Sequence, residues 1–511
     1  MTRYFVPSIG VSAFISSYFG YGQYNKKKEI KTLTDAVWAL NENDRVEEAM
    51  DFILRSDPEA ASKYIPSLST RSIGALAGRG WPLVNKVPIR KFQLDEDDLC
   101  FEKLLDKFEL GDEFRAALDW LNRVPCSDEE LSCTDSWFGP RPSQTAQLHR
   151  ILQVLYLKTE KKNIDPGINE GIVQFIFAMY ERYREDHKDI AFLALKTLCN
   201  VALISSSYAM AILQSEWLHK LSEMSFNGRT FVERLLSHKV FRNALYTLGA
   251  TDYCLRSNMY EVHLGDSSPA MDIVLIHGLM GSVAYTWRQK DAANKTISLC
   301  WPKDWLPLDI VDPIRILGLE YPSYIFQFNG TMESLDARAS RYVEQLREAG
   351  VGKRPVVFIC HSMGGLLAKK LLLKMPDLLE NTIGILFIAT PHRGSPVATN
   401  LGLEIFLPSE DVRFLRETNE TNRKLDADFA QIHDRIPIIT SMIETKESNL
   451  MGVSKGIVVP RDSAVYSKGS LYHIEEVHHN VCKPSERSSP SYGVALNFVR
   501  DSLVEAKKRT K

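Results

Sequence analysis

From Met271 to the C-terminus, runs of apolar, β-favouring residues alternate with stretches at helical spacing. MDIVLIHG and IRILGLEY read as strands, ESLDARASRYVEQLREAG as a helix, VVFICHS as a strand and GGLLAKKLLLKM as a helix. IGILFIATP, IPIITSMIE and SLYHIEEV follow as strands, and YGVALNFVRDSLVEAKK closes the chain as a helix. This alternation predicts a mainly parallel sheet with helices on both faces over residues 256–511. In such sheets ligands bind at the carboxyl ends of the strands, so any chemistry is expected where these runs end.

Upstream, residues 29–255 carry helical patterning and almost no strand signal. LCFEKLLDKFELGDEFRAALDWL (99–121), IVQFIFAMYERY, IAFLALKTLCNVALI and YAMAILQSEWLHKL are amphipathic segments with short polar breaks. They predict an all-α region. DIAFLALKTLCNVAL resembles an armadillo-type helix, with an ordinary helical bundle as the alternative. Segment 56–98, richer in Pro, Gly and charge, reads as loop-rich, and 127–144 as a further loop. Residues 1–28 form a third region. Tyr4 to Asn25 carry no charge and precede Lys26, Lys27 and Lys28, a length and flank that suit a membrane anchor. Serines, glycines and a proline dilute its hydrophobicity, so a targeting signal or a disordered leader are the other readings.

A net charge of −2 gives no global basic field, which argues against nucleic acid as a partner. The eight cysteines include no Cys-x-x-Cys pair, so neither a disulfide framework nor a zinc site is expected. Phosphate-cradling loops, metal-spaced His/Cys clusters and nicotinamide fingerprints are all absent from the sequence. The chemistry expected below needs no cofactor.

In VVFICHSMGGLLAKKLLL, Ser362 falls between a strand and a helix, with Gly364 and Gly365 directly after it. That context is a nucleophile elbow, and it predicts an α/β-hydrolase fold. The usual elbow has glycine two residues before the serine; here Cys360 stands there. A serine hydroxyl needs a base, and the base an orienting acid, in the chain order Ser, acid, His. The acid should end the strand two after the nucleophile, which points to Glu444, with Asp462 of GIVVPRDSAV as the alternative. LYHIEEVHHNVCKP supplies the base as His478 or His479, with His473 read as structural. The oxyanion donors expected are the N–H groups of Met363 and of Leu279, the latter in DIVLIHGLMGS. His277 and His361 read as shaping residues, and His392 of ATPHRGSP as lining the site. Trp287, Trp301 and Trp305, and segment 397–435 at a usual lid position, either face lipid or pack as ordinary cover.

Taken together, DIVLIHGLMGSVAYTWRQKD, CWPKDWL, AGVGKRPVVFICHSMGGLLAKKLLL, PHRGS, IETK, VVPRDSA and HHNVCKP resemble the serine active site-containing protein 1 family of lipase-like α/β-hydrolases. The family pattern selects His478 over His479 and favours Glu444. The resemblance implies action on phospholipid acyl esters, with a role in phosphatidylglycerol remodelling and effects on cardiolipin composition and cholesterol handling. It also implies a membrane-associated protein at mitochondria or at mitochondria–endoplasmic reticulum contacts. Two other readings stand beside it. One is a membrane-tethered scaffold whose helical region binds a protein partner while the hydrolase fold is vestigial. The other is an esterase or thioesterase acting on small esters.

Overall fold

The computed structural model describes residues 30–92, 144–160, 171–228, 230–265, 268–290, 298–323, 334–400, 408–450 and 454–509. The N-terminal segment 4–25, the helix expected over 99–121 and all but the last residue of the loop expected over 127–144 lie outside them. The chain divides into two compact units, Met1–Pro88 and Ile89–Lys511. No helix among the described residues is long and apolar enough to cross a membrane.

The first unit is helical where sequence suggested loop. Helices Leu33–Asn41 and Val46–Arg55 are followed by Pro58–Ser62 and Thr70–Gly78 within the segment expected to be loop-rich. The prolines do not break these elements because they sit in first turns, Pro58 behind the Asp57 cap and Pro66 in a 3-10 turn. Asp57 and Ser69 accept from Ala60 N and Ser72 N, which satisfies one free donor at each start.

Among the described residues of the second unit, six helices precede the sheet: α1 (Gln144–Glu160), α2 (Gly171–Tyr183), α3 (Lys188–Val201), α4 (Ser206–Leu213), α5 (Glu216–Asn227) and α6 (Phe231–Thr247). Trp217 is fully buried among them, its indole N–H donating to Val173 O at 3.0 Å while Phe177 meets it edge-on. A Thr230–Glu233 capping box starts α6. Asn243 of α6 then joins three pieces of chain. Its amide donates to Cys199 O at 2.9 Å and Leu255 O at 3.0 Å, and its oxygen accepts from Leu255 N at 2.8 Å. Lys239, also buried, caps the carbonyls of Arg256 and Ser257 at 2.7 and 2.9 Å. The connector into the sheet is therefore bonded to the helices before it.

Among the described residues the sheet has seven strands: β1 (Met259–Leu264), β2 (Met271–Ile276), β3 (Ile314–Leu319), β4 (Val356–His361), β5 (Thr382–Ile388), β6 (Ile438–Glu444) and β7 (Ser470–Ile474). Their spatial order is β1-β3-β2-β4-β5-β6-β7. Pairing is parallel throughout except at β1, an antiparallel edge strand against β3 that the apolar runs alone do not separate out. Strands β2, β3, β4 and β5 are buried at every residue, as a sheet covered on both faces requires. One face packs against α7 (Leu335–Glu348) and α8 (Met363–Lys374). α10 (Pro490–Arg509) packs on β5 and β6, its Phe498 ring taking the space that a side chain on Gly384 would fill. The mainly parallel, helix-covered sheet expected from the alternation is borne out.

At the amino end of β2, Asp272 accepts both Nε and Nη2 of Arg315 at 2.8 and 2.6 Å, and Nη1 of Arg354 at 3.0 Å. Asp272 and Arg315 are both fully buried, and Arg315 also donates to Ala349 O at 2.9 Å. Removing one partner would strand the other charge out of water. Asp272→Ala is expected to cost about 3–5 kcal/mol, read as a shift in urea unfolding midpoint.

Candidate active site

β4 ends at His361 and α8 begins at Met363, leaving one residue for the turn. Ser362 makes it with φ 51° and ψ −126°, a conformation that a residue with a side chain adopts only under constraint. Its N–H is held by Ile388 O at 2.8 Å. The two glycines after it answer to close packing. A Cβ on Gly364 would lie 2.5 Å from the carbonyl oxygens of Ile276 and His277, and one on Gly365 would lie 2.2 Å from Thr390 Oγ1. Cys360, in the place of the usual glycine, is fully buried in the apolar core under the sheet.

The loop after β7 carries His478 back over the elbow. His478 Nε2 lies 3.0 Å from Ser362 Oγ, and its Nδ1 lies 2.5 Å from Glu444 Oε2. A carboxylate can only accept, so Nδ1 carries the ring proton and Nε2 is free to take one from the serine. Glu444, the last residue of β6, has a fully buried side chain. Its other oxygen accepts from Val458 N at 2.8 Å and Val459 N at 3.0 Å. Asp462, the alternative acid, is exposed in the short helix Arg461–Ala464 and stands apart from this line. The stretch GIVVPRDSA contributes differently: its N–H groups hold Glu444, and Ser463 Oγ accepts from Arg393 N at 3.0 Å. His479 and His473 are exposed and make no part of the line.

Leu279 and Met363 carry the N–H groups expected as oxyanion donors. Among the described residues neither the Leu279 N–H nor the Met363 N–H has an acceptor in the chain. The loop bearing Leu279 can approach because residue 278 is glycine: a Cβ there would sit 2.8 Å from Ser362 Cβ. His277 shapes that loop. Its Nε2 accepts from Tyr321 N at 3.1 Å, its Nδ1 donates to Gly278 O at 2.9 Å, and its ring stacks on Tyr321 at 4.2 Å.

The surroundings correct some expectations. His392 is turned inward, 2% exposed against Phe387 and Tyr466, and neither ring nitrogen has a partner among the described residues. Trp287, Trp301 and Trp305 are buried packing residues; the Trp301 indole donates to Cys482 O at 3.0 Å, bracing the loop of His478. Of segment 397–435, residues 401–407 lie outside the described set. Its charged helix α9 (Glu420–Ala430) is docked on α8 by Lys369, buried among Phe387, Phe429 and Tyr466 and paired with Asp426 at 2.5 Å. Sequence reasoning missed the Val458 and Val459 donors, the Tyr321 support and the contact that His361 makes. Only the position of His361 beside the nucleophile could have signalled it.

A parallel sheet with a serine on a strained strand-to-helix turn, and a histidine returning to it from beyond the last strand, defines an α/β-hydrolase. The family model of the PGAP1-like alpha/beta domain matches residues 326–467, a stretch that holds Ser362 and Glu444. Over 390 residues, 71% of its length, the chain is 30% identical to Protein SERAC1 of Danio rerio and covers 58% of it. Human Protein SERAC1 is 29% identical over 395 residues, 72% of this chain and 59% of its own. The resemblance read from the motifs is thereby borne out: the chain is similar to proteins of the serine active site-containing protein 1 family. It spans less than two thirds of the length of these relatives. The solved structure of phospholipase PlaB from Legionella pneumophila aligns with 47% of this chain and 62% of that chain at 15% identity, with a TM-score of 0.35, too distant to bear on function.

Burial pushes the pKa values of His277, His361 and His392 below the ordinary imidazole range, helped at His361 by His478 and at His392 by Lys369. The unfolded chain protonates these rings near pH ~6.5, whereas the folded chain keeps them neutral. Stability is therefore full above that pH and falls as pH is lowered through it, by up to about 1.4 kcal/mol per pH unit for each ring. Urea midpoints measured from pH 8 to pH 5 should be flat at first and then decline, and His392→Phe should make the decline shallower.

Proposed function

We propose that this chain is a serine hydrolase or acyltransferase acting on acyl esters of glycerophospholipids. The observation that carries the reading is the unbroken line Ser362–His478–Glu444, at 3.0 and 2.5 Å, beside two backbone donors without acceptors among the described residues. Ser362 Oγ attacks the ester carbonyl as His478 Nε2 takes its proton. The oxyanion is received by the N–H groups of Leu279 and Met363, the second at the start of α8, where the helix dipole adds to the attraction. His478 then protonates the departing alcohol, and Glu444 stabilises the imidazolium between the two transfers. Water or a lysophospholipid takes the acyl group from the serine by the same proton route in reverse.

Apolar surface beside the site supports an ester with a long acyl chain. Met280 and Tyr285, on the loop that carries Leu279, are 69% and 63% exposed. Phosphatidylglycerol as the lipid, links to cardiolipin and cholesterol, and a membrane at mitochondria or mitochondria–endoplasmic reticulum contacts are supported by the family resemblance alone.

Labelling of the full chain by a fluorophosphonate tests the reading. The parent should label, Ser362→Ala should abolish labelling, and His478→Ala should slow it by about 10³-fold or more. Glu444→Gln is expected to slow it by about 10²–10⁴-fold, and Asp462→Asn to leave it unchanged. A folded parent that never labels would overturn the hydrolase reading. Turnover of soluble short-chain esters with none on phosphatidylglycerol vesicles would overturn the substrate class. Separately, Gly278→Ala should push the Leu279 donor out of reach and lower turnover by about 10²-fold while leaving KM nearly unchanged.

A further inference from the structure

The main chain of His478 is gripped from both sides. Its N–H donates to Ser448 Oγ at 3.2 Å, and its carbonyl oxygen lies 3.0 Å from His361 Nε2. A carbonyl can only accept, so Nε2 of His361 carries a proton. Burial keeps the ring neutral, which leaves Nδ1 without one. That nitrogen faces the oxyanion loop, 2.9 Å from where a Cβ on Gly278 would stand. His361 therefore touches the loop of the base and the loop of the oxyanion donor, and it is bonded directly to the residue that bears the nucleophile.

We propose that His361 is a positioning residue for acyl transfer, fixing the separation of nucleophile and base through its Nε2–H bond to the His478 carbonyl. Two consecutive residues of the elbow hold two ends of one residue opposite: Ser362 Oγ meets the imidazole, and the His361 ring meets the backbone that carries it. Glu444 controls how the imidazole is turned. It does not fix how far the backbone beneath stands from the serine, and the His361 bond supplies that constraint. A shift of the elbow then carries the base with it, and the Oγ–Nε2 distance is preserved. A misplacement of about 1 Å between reacting groups can cost about 10²-fold in rate, so the contact is worth holding rigidly.

The inference rests on the functional reading above, and the test separates the two. His361→Leu keeps much of the bulk and removes the donor; His361→Gln keeps an N–H that can reach the same carbonyl. For fluorophosphonate labelling of the full chain, His361→Leu should lower kinact by about 10²-fold with KI changed less than about twofold, and His361→Gln should recover kinact to within about tenfold of the parent. Labelling of His361→Leu at the parent rate would overturn the proposal. So would a loss that Gln does not rescue and that follows a lowered unfolding temperature. Should the parent itself fail to label, the functional reading falls, and hydrogen–deuterium exchange at the imidazole C2 of His478, followed by mass spectrometry, decides the contact. Faster exchange in the Leu variant, restored in the Gln variant, upholds His361 as the holder of His478; unchanged exchange rejects it.

Discussion

Three pieces of backbone meet at the carboxyl ends of β2 and β4, and their separation is set by the hydrogen atoms of glycines. Gly278 brings the oxyanion loop against Ser362, Gly364 lets α8 start against the carbonyls of Ile276 and His277, and Gly365 clears Thr390 on the neighbouring strand's exit. A methyl group at any of the three would need to occupy space already filled. The Ser362 backbone, in a conformation that costs about 1–3 kcal/mol, is held there by this packing and by its N–H bond to Ile388 O. Next to this packing, the N–H groups of Leu279 and Met363 have no acceptor among the described residues.

The strands that end in this chemistry begin in charge. β2 starts at the buried Asp272–Arg315 pair and ends just before His277, so one short element is locked by ions at its amino end and by a stacked His277–Tyr321 pair just beyond its carboxyl end. Neither lock contributes chemistry of its own. Burying ions gains little net stability, but once they are buried the pairing penalises every arrangement that separates them. The antiparallel edge β1 is fixed in a similar manner, with Glu261 bonded to Arg242 of α6 at 3.2 Å. Together with Asn243 and Lys239, this makes the helices of residues 144–247 a support of the sheet.

Much of the sheet was legible because strands buried on both faces read as continuous apolar runs, and the helices between them keep their own period. The elbow was legible for the same reason: a serine and two glycines at the junction of those two patterns fit little else. The choice between Glu444 and Asp462 was harder, since both follow apolar runs. It depends on which run pairs beside β7, and that is a long-range fact. The choice between His478 and His479 turned on one residue of loop geometry, which the family pattern supplied and the residues alone did not. His392 shows the opposite failure. Its motif ends a strand on the right edge, yet the ring turns toward Phe387 and Tyr466, because apolar packing outweighs what its neighbours in sequence suggest. Segment 56–98 misled, over its described residues, through composition: prolines read as breakers are harmless in a first turn.

Ser362 and His478 are separated by 116 residues, and the acid joins them from a strand that forms in between. Such contacts close late, after the loop entropy of the intervening chain has been overcome. A serine in an incomplete chain on the ribosome has no base within reach and is an ordinary alcohol. On the reading proposed above, Ser362 gains its base only once the last strand and the loop beyond it have been made and folded.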